Sequence, residues 1–451
     1  MADGGVRGAP TKEEEEEAAR KKYVAGQIRS LQVAIVGMIG GIATLLPQNS
    51  PIIASVMPTA SPAQVGAYVA RCATLGSLTE FLINPVVGAL GDQYGRKPIL
   101  VAGFCATSFF RALAYFRSDS KWIVAMNLVL TRGIDTVNFT TTRAALSDLV
   151  SGQEYAEAFP KIAIAAGISV VVFPLVSLGI VRLTKSHLVT LLMSSGLSIF
   201  SLLTVSSRLT ETLTEERRKP FLWKNASPFA FVEVLTASST LTKLMTTSMV
   251  QTIIDGRNLA DTDFAFQRSE LGWSEHDSGR FVAAAGLKIL LGGMIGRKLV
   301  RAFGVRRIGS FSNLMNSIQG SLMFMAPSFS MYWLFVGMFG DRKRDGVESM
   351  VTDLGVKLGY GKGKIAAALY NWRSVGNIIA PVLFSYTLAL AIRLKKSTGI
   401  AWLGRLHYLL AISVSVLAEC VYRTVDQNVL DQELRNAKSG QQPSLGEEKK
   451  D

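Results

Sequence analysis

Apolar runs of roughly 20 residues recur along the chain, separated by short polar stretches rich in glycine, lysine and arginine. A helix crossing the ~30 Å hydrocarbon layer needs about 20 mainly apolar residues, so each run predicts a membrane helix. In the first half the runs fall at about 32–47, 65–90, 99–116, 122–149, 162–181 and 188–205. In the second half they fall at 229–254, 279–299, 308–326, 331–354, 365–392 and 400–422. The predicted fold is an all-α polytopic membrane protein with 12 transmembrane helices in two six-helix halves. The organisation expected is a disordered tail at 1–28, a first half at 29–205, a basic linker at 206–228, a second half at 229–424 and a tail at 425–451.

Twelve crossings put both ends of the chain on one face. The loops on that face, at 91–98, 206–228, 297–307 and 357–364, are all basic, whereas 48–64 and 328–330 on the other face carry no Lys or Arg. Positive loops stay in the cytosol, so both termini are expected there. Arg393, Lys395 and Lys396 fall on the opposite face and break the pattern locally.

Composition narrows the class further. Of 451 residues, 49% are hydrophobic and only 18% charged, with a mean hydropathy of +0.28. A soluble protein carries about 25% charged residues. The net charge of +14 is spread among apolar runs and forms no single basic face, which argues against a nucleic-acid partner. Cys72, Cys105 and Cys420 lie in or beside apolar runs, and His187, His276 and His407 lie far apart, so no metal site or cofactor is expected. Nucleotide loops and nucleophile motifs are missing as well, so the chain does not read as an enzyme.

One stretch stands out. Between the second and third runs, Gly88, Leu90, Asp92, Gly95, Arg96 and Lys97 occupy a very short connection. So tight a turn between two helices favours glycine, and an acid with two bases can bridge neighbouring helix ends. The pattern Gly88-x-Leu90-x-Asp92-x-x-Gly95-Arg96-Lys97 resembles the signature loop of the major facilitator superfamily. A weaker second copy, with Gly304 and Arg306, follows the eighth run and puts Arg301 where the first has Asp92. Leu128 to Gly133, Thr210 to Leu213 and Leu271 to Ser274 are similar to further stretches of that family. Together these lean toward its tetracycline-type drug:proton antiporters. The fifth run departs from that branch, with Phe173 in place of the glycine before Pro174.

Charges inside predicted helices need a reason, since each costs about 2.5–3.5 kcal/mol on insertion scales. Glu80 and Asn84 lie one turn apart on the second helix, and Arg132 and Asp135 at i and i+3 on the fourth. Two readings stand for Arg132: mutual neutralisation with Asp135, or a proton-coupling role, which the family resemblance favours. Lys243, Lys288 and Arg373 are candidate cavity bases. The block Asp341 to Asp345 interrupts the tenth run. Either the helix continues to about 354 with Arg344 beside a watery cavity, or it stops at Gly340. The run 331–339 spans only about 14 Å, so the first reading is preferred.

The resemblance implies a proton-coupled secondary transporter of a small-molecule substrate, working by alternating access in a lipid bilayer. It also implies a gate at Gly88, Asp92, Gly95, Arg96 and Lys97, with Asp92 bridging to the other half. The basic candidates Lys288, Arg344 and Arg373 suggest an anionic cargo, and the tetracycline-type likeness an amphipathic one. The alternative is a non-transporting receptor or scaffold that keeps the fold.

Overall fold

The computed structural model describes residues 12–426, apart from 151, 219, 222, 224, 225, 341, 342 and 361. The first half contains α1 (Lys12–Leu45), the short α2 (Asn49–Val56), α3 (Pro62–Tyr94), α4 (Arg96–Phe116), α5 (Lys121–Leu149), α6 (Gly152–Thr184) and α7 (Val189–Arg208). The second begins with α8 (Phe231–Leu235), α9 (Ser239–Ile253), α10 (Gly256–Glu270) and α11 (Glu275–Met325). It ends with α12 (Ser330–Trp333), α13 (Gly337–Gly340), α14 (Lys343–Lys357), α15 (Lys362–Thr398) and α16 (Leu406–Arg423). Eight of these helices contain stretches long and apolar enough to cross a membrane. The others cross as broken or more polar segments, and the twelve crossings form two six-helix halves.

Five spans differ from the hydrophobic pattern. Helix α1 starts at Lys12, so residues 12–28, expected to be disordered, are helical. Its first part, 12–22, is built from Glu, Ala, Lys and Arg, all good helix formers, with Glu17 and Lys21 paired at i,i+4. The seventh span is not 229–254. It is made of α9 and α10, and the break falls at Ile254–Asp255. Its second piece is polar, so hydropathy alone reads it as a loop. Helix α11 merges the eighth and ninth spans across Gly304, whose φ of 76° and ψ of 161° turn the chain. The tenth span breaks at 334–336 and ends at Lys357, past the end expected at 354, with residues 341 and 342 outside the described residues.

Polar and small residues join the buried apolar clusters in setting the helix contacts. On α7, Ser194 and Ser201 donate to the carbonyls of Gly41 (2.7 Å) and Ala34 (2.8 Å) on α1, and Ser195 to that of Ser108 on α4 (2.9 Å). Serines of this kind draw membrane helices together where the apolar effect cannot. Phe173, which takes the place of a glycine, lays its ring against Gly40 of α1.

The halves meet along α3 against α15 and α6 against α11. In span numbers these are the second on the eleventh and the fifth on the eighth. A six-span repeat maps one contact onto the other, as parallel repeats require. At the second contact Gly286 lies so close to Val170 and Val171 that a Cβ there would meet backbone at 2.7–2.8 Å.

Candidate functional site

The loop at the face of the termini is held by one carboxylate from the linker. Glu211 accepts hydrogen bonds from the backbone N–H of Arg96 (2.8 Å) and Lys97 (3.1 Å), the first residues of α4. It also accepts from Thr212 (2.9 Å) and Leu213 (3.0 Å). A carboxylate at a helix N-terminus satisfies orphan amides and meets the positive end of the helix dipole. Arg96 then pairs with Asp92 (2.6 Å) and with Asp148 at the end of α5 (3.1 Å), and Lys97 Nζ donates to the Ser206 carbonyl (3.0 Å). Gly95, at φ 103° and ψ 168°, makes the turn. Its backbone closely matches that of Gly304, so the second copy keeps the turn as well as the glycine. Arg306 there donates to the Val425 carbonyl (2.6 Å). Gly88 lies in α3, exposed, with open space where a Cβ would stand.

The contacts described for Asp92, Arg96 and Lys97 all fall within the first half and the linker. The bridge expected from Asp92 to the other half is not among them.

Contacts between the halves lie deeper. Glu80, fully buried near the middle of α3, accepts from Thr136 of α5 (3.0 Å) and from the Tyr370 hydroxyl of α15 (2.7 Å). Arg132 of α5 reaches Asp261 of α10 at 3.9 Å. At 1.5 Å per residue, Arg132 lies about 17 Å along α5 from its outer end, well inside the bilayer. Asn84 accepts from Thr140 (3.0 Å) and extends the polar row along α3 and α5. Toward the face opposite the termini, Arg268 of α10 donates to the Pro47 carbonyl (3.0 Å).

Asp135 takes a partner that helix spacing did not indicate. Arg111 of α4, 1% exposed, pairs with it at 2.6 Å and donates to Ser198 (2.7 Å). Arg373 pairs with Glu348 of α14 and donates to Ser248 (2.6 Å). Its charge is therefore matched, which weakens the case for an anionic cargo. Lys288 is partly buried on α11, and the side chain of Arg344 lies outside the described residues. Lys243 is spent on the Thr424 carbonyl (3.2 Å). Lys395, one of the bases that broke the loop pattern, pairs with Glu270 at the end of α10.

Sequence reasoning missed Arg111, Asp261, Asp263, Tyr370 and His407. Arg111 was visible as a lone base in an apolar run. Asp261 and Asp263 carried a weaker signal: in 255–270 the buried positions Asn258, Thr262 and Phe266 recur every four residues, as a helix face does.

Two six-helix halves joined by buried polar contacts define a polytopic helical membrane protein. The sequence model of the Major Facilitator Superfamily matches residues 30–341, well over half of the chain, and the chain belongs to that family. Hippocampus abundant transcript-like protein 1 of Homo sapiens is 24% identical over 215 residues, 47% of this chain and 41% of that protein. The matched stretch thus spans less than half the length of that relative. Tetracycline resistance protein, class H, of Pasteurella multocida is 22% identical over 355 residues, 75% of this chain and 82% of that protein. Among solved structures, the human organic anion transporter MFSD10 (TETRAN) superposes with a TM-score of 0.67 at 15% identity, covering 88% of this chain and 99% of that one. The D-xylose-proton symporter gives 0.67 at 11% identity, covering 88% and 96%. These likenesses show the fold.

Proposed function

We propose that the chain is a secondary active transporter that moves a small molecule by alternating access, coupled to protons. The observation that carries this reading is Glu80, a buried carboxylate that accepts hydrogen bonds from both halves at once. A carboxylate can gain and lose a proton, and Arg132 cannot at any working pH, so the titrating partner is the acid. Protonating Glu80 alters its acceptor capacity toward Tyr370 and so couples proton binding to the fit between the halves. The Arg132–Asp261 pair and the Arg268–Pro47 bond must break before the face opposite the termini can open. The basic loops support a cytosolic position for the termini. Likeness to tetracycline resistance proteins and to a proton symporter supports coupling to protons. The signature loop, with Asp92 turned to Arg96, is read as a gate that re-pairs in the other state.

The test is flux in vesicles containing the purified chain, with and without an imposed pH gradient, across organic anions and amphipathic drugs. Wild type is expected to move at least one compound class only when the gradient is present. Glu80→Gln should reach the membrane intact and lose the gradient dependence. Gradient-driven flux by Glu80→Gln equal to wild type would sink the role of Glu80.

A further inference from the structure

Helix α10 carries two carboxylates two residues apart. At 100° per residue they project about 200° apart, on opposite sides of the helix. Asp261 faces the first half and Arg132. Asp263 faces the second half, where its Oδ1 lies 3.8 Å from Nε2 of His407 on α16. Asp263 is 6% exposed and His407 0%. The walls around them are aromatic: the tilted rings of Phe266 and Tyr408 lie 4.7 Å and 4.0 Å from the His407 ring. Neither ring nitrogen of His407, nor Oδ1 of Asp263, has a hydrogen-bond partner among the described residues. The neighbouring charges are engaged elsewhere. Lys395 of α15 is held by Glu270, Arg405 donates to the carbonyls of Phe324 and Met325, and Arg268 donates to Pro47.

An ionised Asp263 beside a neutral His407 leaves a net negative charge buried among aromatic rings, with the Tyr408 hydroxyl facing it. A single added proton makes the pair neutral overall, and a hydrogen bond between the two side chains satisfies one orphan atom on each. The present 3.8 Å separation is slack, and closing it to ordinary hydrogen-bond length draws α10 toward α16. The break at Ile254–Asp255 gives α10 a hinge, bridged by the Asn258 side-chain amide donating to the Thr252 carbonyl (2.8 Å).

We propose that Asp263 and His407 form a proton-binding site within the second half, and that a proton bound there draws α10 off Arg132 and loosens the contact between the halves. The coupling rests on the alternating-access reading above, whereas proton binding at the pair does not.

Two measurements on the full chain in lipid test it. The first is the infrared difference spectrum between about pH 5.5 and about pH 8.5, the range in which histidine and buried acids change charge. It should contain a carboxylic-acid C=O band that disappears in Asp263→Asn and shifts in His407→Gln. The second is the distance between spin labels at Asp119→Cys and Ser269→Cys, with Cys105 and Cys420 replaced by serine. It should lengthen at the lower pH in wild type and stay fixed in Asp263→Asn. Should Asp263→Asn not fold, Asp263→Glu must shift the band and the distance. The proposal is overturned if no band depends on Asp263, if the band ignores His407→Gln, or if the pH-dependent distance change persists without Asp263. Absence of gradient-driven flux in wild-type vesicles would instead defeat the transport reading, and the infrared band would remain.

Discussion

Removing the Glu211 carboxylate, as in Glu211→Ala, should release the signature loop from the linker. Four backbone N–H groups lose their acceptor, at 2.8–3.1 Å, and two of them are the first amides of α4. A lost helix cap costs about 0.5–2 kcal/mol, and hydrogen bonds to a charged group about 1.5–3 kcal/mol each. Because the site is only partly buried, water replaces much of the lost bonding. The net change in local stability is therefore about 2–3 kcal/mol, or roughly 30- to 140-fold in the opening equilibrium at 1.4 kcal/mol per factor of ten. Hydrogen exchange on the purified protein reads this directly. The amides of Arg96, Lys97, Thr212 and Leu213 should exchange faster by about that factor, while those of α9 stay unchanged. Glu211→Gln, which keeps an acceptor without the charge, should fall between. Protection of the Arg96 and Lys97 amides that stays within about threefold of wild type in Glu211→Ala would refute the capping role.

The two turn glycines separate strain from overlap. Gly304→Ala meets open space, so thermal unfolding should show only the strain of its backbone, about 1–3 kcal/mol, whereas Gly95→Ala also drives a Cβ into the Glu211 carboxylate and must cost more. Arg111→Ala leaves Asp135 buried without its main partner and should lower stability by about 3–5 kcal/mol, with much of that recovered in Arg111→Leu/Asp135→Leu; equal stability of the single and double variants would contradict the pairing. Glu80→Gln should keep the thermal stability of wild type within about 1 kcal/mol, since its one carbonyl oxygen can still accept from Tyr370 while Thr136, which also donates to the Arg132 carbonyl, can accept from the new NH2, so any loss of gradient dependence can be ascribed to the missing proton site.

The membrane class, the number of spans and the signature loop were legible in the chain itself. Hydrocarbon demands an apolar helix whatever its neighbours are, and a charged glycine turn has to sit at the water's edge. The loop's motif also brings Asp92, Arg96 and Lys97 together at adjoining helix ends, around the turn at Gly95. What holds them, Glu211, lies more than a hundred residues away and is joined only by folding.

Tertiary structure alone decided the pairing of buried charges. Spacing along one helix suggested Arg132 with Asp135, but Asp135 takes Arg111 from α4 and Arg132 reaches Asp261 in the other half. Partners within a helix can be found by counting residues. Partners on separate helices depend on which faces are turned together, and that is set by the small residues and serines that bring the helices into contact. The polar helix α10 shows the same limit from the other side. Its Asp261, Asp263 and Gln267 are tolerated in the membrane domain because protein, and not lipid, surrounds them. Hydropathy measures preference for lipid, so it misread as a loop the helix that joins the two halves.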